Sequence, residues 1–152
     1  MDNVKALTFD TGGTILDWHS GFKEAFRMIG KRYNYFKDWE FLANELRRRS
    51  LKSMLNLGKS EAPRYNFDDA HKFILLELIN EHNLTKFTEK DINYIAYEAP
   101  HNFKCWSDFP ETLPKLREMH IVCSFTILSY RIIIDTARKN GLAWDAVFSC
   151  EG

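Results

Sequence analysis

The 152-residue chain is long enough for one domain, or for one domain carrying an insertion, and its 45% hydrophobic content supports a packed core rather than a disordered chain. Its 21 basic and 21 acidic side chains balance to a formal net charge of +0, so no overall field draws it onto nucleic acid or an anionic membrane, and small partners are expected instead. No stretch approaches the roughly 18 uninterrupted apolar residues of a membrane span, the start MDNVK lacks the apolar core of a secretion signal, and a cytoplasmic location is expected.

The first element is read in VKALTFDTGGTILDWHS, residues 4 to 20. Val4, Ala6, Leu7 and Phe9 predict a short parallel strand buried on both faces, ending in Asp10 and a turn holding Gly12 and Gly13. Burying a carboxylate there is costly unless chemistry requires it.

From about residue 17 to 98 the apolar residues recur at helical spacing, and no strand pattern interrupts them. One helix is expected over 20–32 with Ser20 as its N-cap. A second runs from about Asp38, with Trp39, Leu42, Ala43 and Leu46 at three- and four-residue steps, and ends near Gly58. A third starts at Asn66 or Asp68 and carries Phe67, Ala70, Ile74 and Leu78 on one face. A fourth starts at Thr88 with Asp91 as its capping partner.

Near Pro100 the pattern changes. FPETLPKLREM predicts a short helix that tolerates Pro114 only in its first turn, followed by the strand HIVCSFT. A helix over 129–140, ended by Gly141, and a strand AVFS starting near Asp145 complete the series. Cys105, Cys123 and Cys150 match no zinc spacing and are expected to be reduced and structural, Cys123 serving as a small buried hydrophobe. The implied architecture is an α/β, Rossmann-like core of parallel strands made by residues 1–16 and 100–152, with an all-helical insertion over 17–99. At roughly eighty residues that insertion far exceeds an ordinary connection, and it is expected to cap the carboxyl end of the sheet, where such folds bind ligands.

An aspartate at the carboxyl end of a first parallel strand is placed to attack a bound substrate. Gly12 and Gly13 let the backbone turn and present N–H groups to an anion, while the Thr14 hydroxyl can donate to that anion or to Asp10. The competing reading of an Asp-x-Gly string is a turn aspartate that caps its own backbone.

These residues resemble a known family. TFDTGGTILDWHS is similar to the first motif of the haloacid dehalogenase superfamily, an aspartate nucleophile followed by Gly-Thr. LRRRSLKSML resembles the cap helix of the type II 2-haloacid dehalogenases, with Arg47 and Leu51 at the matching positions, and FPETLPKLREMHIVCSFT with NGLAWDAVFSCE resembles the later core of that branch. The resemblance implies Asp10 as nucleophile, Thr14 as its partner, Thr11 and Gly12 at the substrate, and Arg47 holding a halide or a substrate carboxylate. Its second motif, a serine or threonine binding the substrate anion, has two candidates. Thr126 ends the apolar run fifteen residues before Gly141 and is preferred, while Ser129 imitates the usual Leu-Ser step three residues later. Ile127 and Leu128 stand where the family commonly has Asn-Gly, a role that Ser129 can partly replace.

Position 12 separates reaction types. The superfamily's phosphatases carry a second aspartate two residues after the nucleophile, and here Gly12 stands there. A phosphoester's alkoxide needs the proton of that acid, whereas a halide leaves unassisted. The resemblance therefore implies metal-free hydrolytic dehalogenation of a small anionic 2-halo acid, with no cofactor. The alternatives are a Mg2+-dependent phosphatase of the same superfamily and a noncatalytic relative that binds a small anion or a protein. A homodimer through a sheet edge or a helical face is compatible with either. The family's third-motif lysine and fourth-motif acidic residues have no counterpart before Gly152, and about seventy residues with three strands make a small α/β core. The expectation is a core lacking its carboxy-terminal part, with the 152 residues alone inactive and poorly stable.

Overall fold

A computed structural model describes residues 4–55 and 63–151. Two compact units divide the chain, Met1–Trp18 with His101–Gly152, and His19–Pro100.

In the first unit, β1 (Ala6–Phe9), β2 (Ile121–Thr126) and β3 (Ala146–Ser149) form a parallel sheet in the order β1-β2-β3, with α5 (Phe109–Arg117) preceding β2 and α6 (Tyr130–Asn140) joining β2 to β3. The register sets Ala6 against Ile121, Phe9 against Ser124, and Thr126 against Ser149, so the carboxyl ends of the three strands lie side by side. One face carries the core. Val122 and Phe9 pack with Phe109 and Leu113 of α5 and with Ile15, Leu142 and Trp144. The rings of Phe9 and Phe109 lie 5.4 Å apart, and those of Phe109 and Trp144 5.5 Å. Fully burying a side chain such as Leu113 or Val122 contributes about 1.5–3 kcal/mol.

The other face is open, which corrects the expectation of a strand buried on both sides. Ala6 and Thr8 are exposed while Leu7 and Phe9 are half-buried, because β1 is an edge of the sheet and its outer face shares the side that carries exposed Ile121, Phe125 and Phe148. Cys123 is buried, and all three cysteines are free thiols.

Pro114 is also not where the sequence places it. It stands inside α5, in the second turn, with Pro110 already in the first. The helix survives because the burial of Phe109 and Leu113 along one side outweighs one missing backbone bond in a nine-residue element. Ser129 caps α6, its hydroxyl accepting from Ile132 N, and Gly141 ends that helix at φ 68°.

In the second unit, α1 (Trp18–Arg32) starts earlier than expected, so Ser20 lies within its first turn rather than at its cap. Its stripe of Phe22, Ala25, Phe26 and Ile29 is buried. α2 (Trp39–Leu55) is opened by Asp38, whose carboxylate accepts from Phe41 N, and the expected end near Gly58 lies outside the described residues. α3 (Phe67–Glu81) is opened by an Asn66–Asp69 capping box. Its buried face carries Leu75, while Ile74 is half-buried.

α4 (Glu89–Asn93) is opened by the Thr88–Asp91 box and runs on into a π-helical turn, Tyr94–Glu98, that periodicity does not register. Asp91 does more than cap: it also accepts from the Tyr33 hydroxyl at 2.7 Å and pairs with Arg32. Burial pushes its carboxyl up, but hydrogen bonds from the Thr88 backbone, the Tyr33 hydroxyl and the Thr88 hydroxyl, with the Arg32 charge, outweigh that and hold it below the ordinary value. No helix among the described residues is long and apolar enough to cross a membrane.

Candidate active site

Asp10 is the first residue beyond β1, at the carboxyl end of the sheet. It is exposed, so the anticipated cost of burying a carboxylate does not arise: it ends an edge strand and borders an open cavity. That cavity, about 340 Å3, is lined by Asp10 and Thr126 together with Phe125, Phe148 and Cys150. The Thr14 hydroxyl donates to Asp10 Oδ2 at 2.7 Å, and among the described residues Oδ1 accepts no hydrogen bond. A carboxylate held on one oxygen in this way keeps the other for a ligand. Thr126 Oγ1 accepts from Leu128 N at 3.3 Å, which leaves its O–H able to donate.

The turn after Asp10 is built from backbone bonds. Ile15 N and Leu16 N both donate to Thr11 O, at 3.1 and 3.0 Å, wrapping residues 11–16 into a tight loop. Gly13 sits in it at φ +108°, and a Cβ there would lie 2.9 Å from Trp18 Nε1, so both conformation and space require glycine. Of the two glycines expected to make this turn, only Gly13 adopts a positive φ. Gly12 is bridged to Leu16.

Asp10, Thr14 and Thr126 are thus brought together. Thr11 is turned the other way: it is buried, and its hydroxyl shares a 2.6 Å hydrogen bond with the buried hydroxyl of Ser124 on β2. Ser129 is likewise buried and holds Ile132 N. The first amide of α6, Tyr130 N, donates to the Glu151 carboxylate at 2.7 Å, so the chain's own groups occupy that helix end.

Arg47 lies in the helical unit. Among three successive arginines the structure distinguishes sharply. Arg48 is exposed and pairs with Glu45, and Arg49 pairs with Glu45 and Glu81. Hydrogen bonding by the Arg48 guanidinium, with Arg49 adding to it against the push of burial, holds the Glu45 carboxyl at about 2. Arg47 is buried, its guanidinium 5.0 Å over the Phe67 ring, and Phe67 in turn meets His71 edge-on at 4.7 Å. The Ser50 hydroxyl, one turn on from Arg47, is fully buried and has no hydrogen-bond partner among the described residues.

Two residues at the Asp10 loop carry no local sequence signal. Ser124 lies 113 positions from the Thr11 it bonds, and Trp106 Nε1 donates to Gly13 O at 3.1 Å across 93. Only the parallel pairing of β1 with β2 makes the first contact foreseeable, since that register sets Phe9 against Ser124.

No protein-family model matches the chain, and no curated protein matches it. Solved structures do. A defluorinating L-2-haloacid dehalogenase superposes with a TM-score of 0.88 at 24% identity over 98% of this chain and 61% of its own. A second L-2-haloacid dehalogenase gives 0.84 at 23% identity over 98% and 63%. The L-2-haloacid dehalogenase from Xanthobacter autotrophicus with chloropropionic acid covalently bound gives 0.76 at 18% identity over 97% and 57%. The chain therefore spans about three-fifths of the length of these relatives. Nearly all of its length superposes on them, three parallel strands and helical unit alike, and what it possesses is the haloacid dehalogenase-like fold.

Proposed function

We propose that Asp10 is the nucleophile of a hydrolase that removes halide from a small 2-halo acid. The observation that carries the reading is the Thr14–Asp10 hydrogen bond at the carboxyl end of β1, which fixes one carboxylate oxygen beside a cavity shared with Thr126. Oδ1 attacks the halogen-bearing carbon in line, forming a C–O bond as the C–halogen bond breaks and the halide departs with the electron pair. Water then adds to the carbonyl of the aspartyl ester, releasing the 2-hydroxy acid and a proton and restoring the carboxylate. Halide is a weak base and needs no proton, so Gly12 in place of an acidic residue is compatible with this chemistry and unfavourable for a phosphoester.

The covalent chloropropionate in the Xanthobacter relative supports the choice of substrate class. Thr126 would donate to the substrate anion. Arg47 would hold the carboxylate or the leaving halide, an assignment that rests on the sequence resemblance, as a buried guanidinium offers several charged donors. Halide release from 2-chloropropionate by the wild type and by Asp10→Asn tests the reading. Loss of release in the variant, with the unfolding midpoint unchanged, is the expected result. Equal and measurable release by both overturns it, and phosphoester turnover in its place would favour a phosphatase.

A further inference from the structure

We infer that Trp106 is a positioning residue for Asp10, an inference that rests on the nucleophile reading above. Trp106 is 45% exposed, so its ring contributes modestly to the core, yet it holds the Asp10 loop at two points. Its indole N–H donates to Gly13 O at 3.1 Å, and its backbone N–H donates to Ile15 O at 3.0 Å. The segment before it is bonded to the same loop, with Cys105 bridged to Leu16 and Lys104 O accepting from Asp17 N at 2.8 Å.

That segment is itself anchored from the far end of α6. The Asn140 side chain accepts from Cys105 N at 2.9 Å and donates to Phe103 O and Thr136 O, each at 2.8 Å. A continuous series of bonds thus runs from α6 through residues 103–106 to Gly13, the residue immediately before the Thr14 that holds Asp10 Oδ2.

Gly13 is the weak point of that series. It has no side chain to pack and it sits at a positive φ, with the Trp18 ring where a Cβ would lie. The Trp106 indole is the group that fixes its carbonyl, and with it the direction from which Thr14 reaches Asp10. Small displacements of a reacting group cost large rate factors, so the bond should matter for turnover more than for folding.

The test is Trp106→Phe, which keeps an aromatic ring and removes the indole donor, beside Trp106→His, which can restore a ring N–H, and Asp10→Asn as control. The expected result for Trp106→Phe is a fall in kcat of about ten-fold with KM within about two-fold and an unchanged urea midpoint, partly recovered in Trp106→His. Independently of turnover, amide hydrogen exchange across residues 10–17 should rise several-fold in Trp106→Phe, with α3 unchanged. Unaltered exchange in the loop, or a loss of kcat that follows a loss of stability, overturns the inference. Full activity in Asp10→Asn removes the nucleophile reading itself, whereas an inactive Asp10→Asn beside a fully active Trp106→Phe removes only the role of Trp106.

Discussion

Replacing Gly13 by alanine tests how the Asp10 loop is built. Two separate costs arise. At φ +108° an L-residue is strained by about 1–3 kcal/mol. The new Cβ also lies 2.9 Å from Trp18 Nε1 and 3.3 Å from its Cδ1, an overpacking that costs about 1–3 kcal/mol more. The sum, about 2–6 kcal/mol, is a large share of a typical domain stability of about 5–15 kcal/mol. Urea unfolding should show it directly. The two costs separate in a double-mutant cycle with Trp18→Ala, which removes the clash and leaves the backbone strain, so Gly13→Ala should cost about 1–3 kcal/mol less in that background. Strictly additive effects would refute the claim that the Trp18 ring closes the space over Gly13. A Gly13→Ala chain as stable as the wild type would refute the loop conformation itself.

Further expectations concern the helical unit. Asp91→Asn should destabilise it by about 2–4 kcal/mol at pH 7, since several bonds to a buried carboxylate lose their charge. Because the folded-state pKa of Asp91 is depressed, its contribution is complete above the ordinary carboxylate value near 4 and is lost as pH falls through the folded value, so the gap between variant and wild type should close in acid urea titrations. Ser50→Ala removes a buried hydroxyl that has no partner among the described residues and installs the best helix former, and a gain of about 1 kcal/mol in thermal or urea unfolding is expected. A loss of stability there would mean that the hydroxyl is engaged in the folded protein.

Much of the fold is written locally. The Thr88–Asp91 capping box, the end of α6 at Gly141 and the strand AVFS each depend on residues a few positions apart, and each stands as the spacing predicts; the start of α3 was legible only as Asn66 or Asp68. The departures arise where a local preference meets a tertiary one. Ser20 is a good cap, yet α1 reaches back to Trp18. Pro114 is a poor interior residue, yet the burial of Leu113 beside it holds the helix together. The open face of β1 was not legible either, because the run Ala-Leu-Thr-Phe states apolarity without stating what covers it.

At the candidate site, Asp10 and Thr14 could be read from a short motif because four residues separate the two atoms that bond. The direction of Thr11 could not, since strand alternation ends at Phe9 and the turn that follows obeys no period. Nor could the separation of Arg47 from Arg48 and Arg49, which depends on the acidic partners Glu45 and Glu81 and on the Phe67 ring rather than on the arginines themselves.

The central claim is that Asp10 forms a covalent ester. Its most direct test is peptide mass spectrometry of the protein quenched shortly after mixing with 2-chloropropionate. The account predicts a lactyl ester on the peptide that contains Asp10, released as lactate when base cleaves it and absent from Asp10→Asn. Halide release with that peptide unmodified throughout, or an adduct that persists in Asp10→Asn, would contradict it.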